Sequence, residues 1–415
     1  METTDKYYFT QRNAAIDILR ALTVLLMIFV NDFWAIRNVP QWMKHAQQGV
    51  DFLGLADVVY PIFLFVVGMS IPFAIESRFR KGLSETGTVL HILSRTFALL
   101  IMGAFTEQSL LRLSPDVGIT MPVFKSLFVV GFFMIWNTYP KIDKPVRHLY
   151  TALQILGVLL LMYLAYIFRT RDGEYFRGSY GILGSIGWAY LFCAFVYLFV
   201  RNSIPKILIF WLAIFIYCMA RSKQLIPREP NIINDLMGIA RVGSSTVLTM
   251  GGVLFSLLIA KYSHVEVRKK IILWLALIAG LLIAAAISHK FWIIAKLGST
   301  PPWILYCSAI TVGTYGLLHW AVEKGKANWF NIIKAGGTAT LSCYVMPYFL
   351  QSVFHTYIPV LTRTNYYKFV DFILPVSMQT DMAYMYFGLI KSFIWALSCI
   401  LITALLERYK VKLKI

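Results

Sequence analysis

Two runs near the start decide the fold: RNAAIDILRALTVLLMIFVNDFW at Arg12–Trp34 and WMKHAQQGVDFLGLADVVYPIFLFVVGMSI at Trp42–Ile71. Each carries about 20 mostly apolar residues, enough for an α-helix to cross the hydrocarbon core of a bilayer. The pattern recurs to the end of the chain. Of 415 residues 58% are apolar and 14% charged, and mean hydropathy is +0.66, which excludes a set of soluble domains. The expected fold class is all-α, a polytopic integral membrane helical bundle of about 12 spans, within about 10–12. Spans are predicted near 14–36, 55–75, 88–106, 122–139, 147–168, 180–200, 205–220, 242–260, 271–289, 302–321, 334–356 and 383–406. Residues 1–415 are expected to form one transmembrane domain: a tail at 1–13, leading helices at 14–139 that hold most of the candidate functional residues, variable middle helices at 140–240 and C-terminal helices at 241–415. No internal repeat stands out.

The net charge of +19 would suggest nucleic acid in a soluble protein. Crowded into short loops between spans, it instead meets anionic lipid headgroups and sets orientation. Lipid is the expected partner surface, and nucleic acid is not expected. With the N-terminus cytoplasmic, the inner segments and their flanks hold 21 Lys and Arg against 14 in the outer loops. Both termini, Lys141 and Lys410 are thus expected inside, and Lys44 and Asn231 outside. The longest outer loops, Arg221–Arg241 and Ile358–Asp381, read as caps on the outer face. The polar Met1–Thr10 precedes an apolar run long enough to span, so no cleavable signal peptide is expected. Cys193, Cys218, Cys307, Cys343 and Cys399 lie singly in apolar runs, without metal-ligand spacing, and read as small core residues. No metal is expected.

An ionisable group inside a span costs several kcal/mol unless it faces a partner or water, so each is a functional candidate. These are Asp17, Arg20, Asp57, Arg95, Glu107, Lys125 and Lys391. Asp17 and Arg20, three apart, share a helical face and can pair as a packing salt bridge. Asn31, eleven residues beyond Arg20, returns to nearly the same face and extends a polar stripe across most of the membrane. Arg95 and Lys125, read as lying toward the middle or inner half of their spans, either join Arg20 around an anionic head or snorkel to the interface. Among seven histidines, His45 alone stands in a loop between two spans that both carry buried charge. An imidazole with an ordinary pKa near 6.5 takes and returns protons at neutral pH. His289 and His355, at the same face, compete with it.

The order of rare polar residues in these runs resembles the heparan-α-glucosaminide N-acetyltransferase family of transmembrane acyltransferases. Arg12, Asp17, Arg20, Asn31, Lys44, His45, Ala56, Asp57, Pro61 and Gly68 take the places of that family's polar and helix-packing residues. LGSTPPW at Leu297–Trp303 and TATLSCYVMPYF at Thr338–Phe349 resemble its late helices. Ala21 stands where the family has Gly, PVFKSLF at Pro122–Phe128 departs from its fourth helix, and the middle third holds extra helices in place of a lumenal insertion. The resemblance implies a bacterial-type member in the inner (cytoplasmic) membrane that moves acetyl from cytoplasmic acetyl-CoA to an amino sugar or related glycan outside. It implies donor binding by Arg20, Asp17, Lys125, Arg95, Ser299 and Trp303. His45 would be the general base or the acetyl carrier, Asn31 an oxyanion donor, and Asp57 either the partner that orients His45 or the counter-ion of Arg20. A homodimer is among the assemblies the sequence admits. The competing readings are a twelve-span secondary transporter and a membrane O-acyltransferase acting on a sugar hydroxyl.

Overall fold

The computed structural model describes residues 9, 13–33, 36–140, 144–177, 181–226, 243–357, 363–375, 377 and 379–415. Arg12, Lys141, Asn231 and the His355 side chain lie outside the described residues. The described residues are all-helical, with no strand longer than isolated bridges. The α-helices are α1 (Ala14–Asn31), α2 (Leu55–Arg80), α3 (Glu85–Gln108), α4 (Met121–Trp136), α5 (Lys144–Ile167), α6 (Gly181–Val200) and α7 (Ile204–Ser222). They continue with α8 (Gly243–Lys261), α9 (Val267–His289), α10 (Pro301–Glu323), α11 (Lys334–Thr338), α12 (Thr340–Tyr357), α13 (Arg363–Ile373) and α14 (Asp381–Arg408). Among the described residues nine helices are long and apolar enough to cross a membrane: α1–α3, α5–α9 and α14. The other three expected spans are helical but fall outside that group, α4 because it has only 16 residues. Lipid-facing stripes such as Ile155, Leu159 and Met162 on α5, and Leu275, Ile283 and Ile287 on α9, are exposed. In water such surfaces would drive association; on helices of this length they mark an integral membrane protein.

Helix starts follow local chemistry. Pro sits in the first turn of α4, α7 and α10, where its missing N–H costs nothing and its fixed φ is already helical. Thr380 caps α14 by accepting from the Ala383 N–H at 3.2 Å. One expected loop differs from its prediction: inside Ile358–Asp381 lies α13, RTNYYKFVDFI. It is too short and polar to span, and it buries Tyr367 and Val370 while Phe372 stays exposed. An amphipathic turn pattern over 11 residues sufficed for a helix where only a cap was expected.

The chain forms two compact units, each built from separate segments. The division cuts across the expected partition at 139 and 240, because α1, α3 and α6 each contribute to both units. Unit 1 comprises Met1–Thr23, Gln41–Leu100 and Leu183–Trp329. Its centre is the pair α2 and α8, buried along nearly their whole length. A Cβ on Gly68 would lie 1.8 Å from the Thr249 carbonyl oxygen, and one on Gly252 2.0 Å from that of Phe65. Backbone therefore meets backbone, the close approach by which membrane helices gain packing without a hydrophobic driving force. The Ser256 hydroxyl donates across the same seam to the Met69 carbonyl at 2.8 Å.

Unit 2 comprises Val24–Pro40, Ile101–Ile182 and Phe330–Ile415. Here α4 packs on α5 through Gly131 and Gly157, around an aromatic core of Phe105, Phe124, Phe128 and Phe132. The C-terminal tail is docked: the Lys412 N–H donates to Asn137 Oδ1 and the Leu413 N–H to Ser342 Oγ, at 2.8 and 2.9 Å.

Candidate active site

α2 runs parallel to α8 and α10 within unit 1, so the starts of all three helices gather at one end. Contacts show it: Ser244 donates to Ser299 Oγ at 2.9 Å, and the Trp303 indole N–H to the Asp57 carbonyl at 3.1 Å. Here the segment Lys44–Gly54 folds back over the start of α2. Gly54 allows this, since a Cβ there would lie 1.8 Å from the Lys44 carbonyl oxygen. The segment is tied to the Phe291–Thr300 loop by Phe52 N–H donating to the Ile294 carbonyl at 3.2 Å. It is tied again by Asp51, which meets His289 Nε2 at 2.7 Å and accepts the Ile294 N–H at 2.8 Å.

At the centre of this end is Asp57, with 2% of its side chain exposed. A buried carboxylate without partners would be untenable, and this one has three. His45 Nδ1 is 2.7 Å from Oδ1, the Ala46 N–H donates to Oδ2 at 2.8 Å, and Lys296 Nζ stands 4.0 Å from Oδ1. A carboxylate only accepts, so Nδ1 carries the proton and Nε2 of a neutral ring keeps its lone pair. The His45 side chain is half exposed, at 51%, so Nε2 is reachable. The geometry holds the imidazole in one tautomer over a buried acid, an arrangement chemically able to accept a proton at Nε2.

Lys296 was not among the residues singled out by sequence. It lies 3.4 Å from His45 Nδ1 and 6.0 Å from the centre of the Tyr60 ring. Burial pulls its ammonium below the ordinary lysine range, against the opposing charge of Asp57. Its one sequence signal was its place immediately before LGSTPPW. Of the two residues taken from that motif, Trp303 is buried and holds the Asp57 carbonyl, and Ser299 bonds Ser244 at φ +50°. Both therefore belong to the His45 end.

The remaining expected residues divide. Asp17 and Arg20 form the pair that their spacing predicts, at 3.2 Å, and Arg20 also donates to Ser70 Oγ at 2.5 Å. The choice left open for Asp57 is thus decided for His45. Ser70 follows Asp57 by thirteen residues of α2, which sets Arg20 roughly 20 Å along the helix from the site. Arg95 lies over the Tyr190 ring at 4.5 Å, its buried Nε has no hydrogen-bond partner among the described residues, and the charge of Arg78 is close enough to repel it. Asn31 and Lys125 lie in unit 2, Asn31 exposed at the end of α1. Lys125 is the fifth residue of α4, not in its middle or inner half: the helix starts at Met121, at the end reached from the Leu110–Thr120 loop. On the expected topology that is the outer side. His289 is the competitor that pairs instead with Asp51.

Two buried acids were also missed, both near span ends. Asp32 pairs with Lys391 at 3.1 Å and accepts from Ser392, which accounts for that lysine. Glu76 pairs with Arg201 at 3.1 Å. All five cysteines are buried and unpaired, as small core residues.

The family described as a domain of unknown function (DUF5009) matches residues 12–237. Heparan-alpha-glucosaminide N-acetyltransferase of Mus musculus is 28% identical over 149 residues, covering 32% of this chain and 21% of that protein. The protein of the same name from Homo sapiens is 31% identical over 96 residues, covering 22% of this chain and 13% of that protein. The chain thus spans about a fifth or less of these relatives' length. The similarity is consistent in both and supports an acyltransferase-like protein. With the match running over more than half of its length, the chain belongs to the DUF5009 family.

Proposed function

We propose that the protein is a transmembrane acetyltransferase that takes acetyl from cytoplasmic acetyl-CoA and gives it to an amino sugar or related glycan on the outer face of a bacterial inner membrane. The observation that carries this reading is the His45–Asp57 pair: an accessible imidazole over a buried carboxylate, at the end of a membrane helix. An acceptor amine attacks a thioester only as a neutral nucleophile. His45 Nε2 takes its proton as the new C–N bond forms; the C–S bond then breaks and the thiolate leaves, taking the proton back from the imidazolium. Asp57 holds the ring in the required tautomer and stabilises the imidazolium.

The donor enters from the opposite end of α2, where the positive-inside bias places the cytoplasm. Arg78 and Arg95 sit there as two mutually repelling guanidiniums, an arrangement that suits an anion such as the CoA phosphates. Arg20 lies between the two ends, already bonded to Asp17 and Ser70, so its part in donor binding is to line the path of the pantetheine arm. The test is direct. Purified protein with acetyl-CoA and a panel of hexosamines should release CoA and form an N-acetylated product detectable by mass spectrometry. No CoA release with any amine would overturn the reading, and exclusive O-acetylation would replace its acceptor. An acetyl adduct on His45 in the absence of acceptor would show the two-step route.

A further inference from the structure

We propose that Lys296 is a third member of the His45 site, a positioning residue whose ammonium acts through Asp57 to hold the carboxylate against the imidazole. The proposal rests on the acetyl-transfer reading and deepens it. Nδ1 of His45 spends its proton on Asp57, so the 3.4 Å approach of Lys296 Nζ is not a hydrogen bond between the two nitrogens. Both face one oxygen, Asp57 Oδ1: His45 donates to it at 2.7 Å, and the ammonium stands 4.0 Å away as an ion pair, not a hydrogen bond. The Ala46 N–H fixes the other oxygen. A carboxylate held on both oxygens cannot rotate away from the ring, and a ring so held keeps one tautomer.

The lysine is itself placed by the fold. Its loop is anchored on both sides, by Asp51 to His289 and Ile294 before it and by Thr300 Oγ1 accepting the Ala295 N–H at 3.0 Å beside it. The charged and titratable groups facing it are Asp57 and Tyr60 of α2, Cys307 of α10 and His45. The neighbouring Lys44 and Lys290 are exposed. Burial, the largest influence on Lys296, lowers the pH at which it loses its proton. Below that pH the ammonium is present, and as pH rises through it the clamp is lost. An arginine would stay charged throughout.

The test is a pH–rate profile for acetyl transfer by wild type, Lys296→Arg and Lys296→Met. Lys296→Arg should keep transfer at neutral pH within about threefold and move the alkaline limb up by about one pH unit or more. Lys296→Met should lower kcat by about 10-fold or more while leaving KM for acetyl-CoA within about twofold. An unchanged alkaline limb in Lys296→Arg, or full activity in Lys296→Met, would overturn the proposal. A second measurement needs no catalysis. Pulse labelling with acetic anhydride, read by mass spectrometry, gives the pH dependence of Lys296 reactivity against Lys44 and Lys290. Asp57→Asn should shift the Lys296 midpoint down by removing its counter-charge; no shift would show that the two groups are uncoupled. If wild type transfers acetyl to no hexosamine, the acetyl-transfer reading falls, and labelling alone decides the Lys296–Asp57 coupling.

Discussion

Unit 1 contains two histidine–aspartate pairs at the same end, His45–Asp57 and His289–Asp51, each with a nitrogen-to-oxygen distance of 2.7 Å. Distance does not separate them; burial of the carboxylate does. Asp57 has 2% of its side chain exposed and Asp51 44%. In the first pair a buried charge acts on an accessible ring, and the local dielectric leaves that charge strong. In the second, water and salt share the interaction, and what remains is a staple between two loops. The comparison teaches that a histidine pair gains chemical meaning from how deeply its acid is buried, not from the length of its hydrogen bond.

The largest effect should come from His45→Ala, which removes the base and should cut acetyl transfer by about 10²-fold or more. His289→Ala, the same change in the other pair, should leave transfer within about threefold. Equal losses, measured by CoA release in detergent-stable protein, would erase the distinction between the two sites.

Asp57→Asn comes next. It keeps the size of the side chain but takes away the charge that selects the His45 tautomer, and about 10²-fold of activity should go with it, by the logic of a triad acid. Retention of activity would make Asp57 a packing residue like Asp51.

Gly54→Ala tests the backbone beneath the first pair. The added Cβ meets the Lys44 carbonyl at 1.8 Å, a clash with main chain that no rotamer relieves. It should cost about 1–3 kcal/mol and lower the melting temperature along with activity. An unaffected variant would show that the Lys44–Gly54 segment yields without loss.

The smallest effect belongs to Asp51→Asn, at most about 1 kcal/mol, shrinking as salt is raised. The Ile294 N–H, and then His289, hold the Asp51 carboxyl below its ordinary value of 3.8. Its contribution is therefore complete above that value and is lost only as pH falls through the lower one. An effect of Asp51→Asn on the melting temperature that persisted unchanged once pH had fallen far enough to protonate the Asp51 carboxyl would show that its charge is not what contributes.

Much of this was legible from the chain. The membrane class follows from composition, since no arrangement of so few charges could clothe soluble domains of this size. The Asp17–Arg20 pair follows from a spacing of three, and His45 stands out as a histidine between two charged spans. Lys296 was not legible because it is 239 residues from Asp57 in sequence, and local periodicity carries no information about which loops meet. Asp32 and Glu76 were missed for a different reason: at the ends of spans, where charges ordinarily reach water, nothing in the sequence marks them as buried. Lys125 was misplaced because its helix begins only four residues before it.

The chain alone settles what kind of molecule this is and which residue types stand at its membrane boundaries, because burial in lipid constrains every stretch of about 20 residues separately. Tertiary packing decides the partnerships. Gly68 and Gly252 bring α2 and α8 into backbone contact, Gly54 lets the preceding segment fold over, and the Phe291–Thr300 loop arrives with Lys296. Only then does Asp57 have one imidazole, one amide and one ammonium around it, in place of the Arg20 that the sequence also offered.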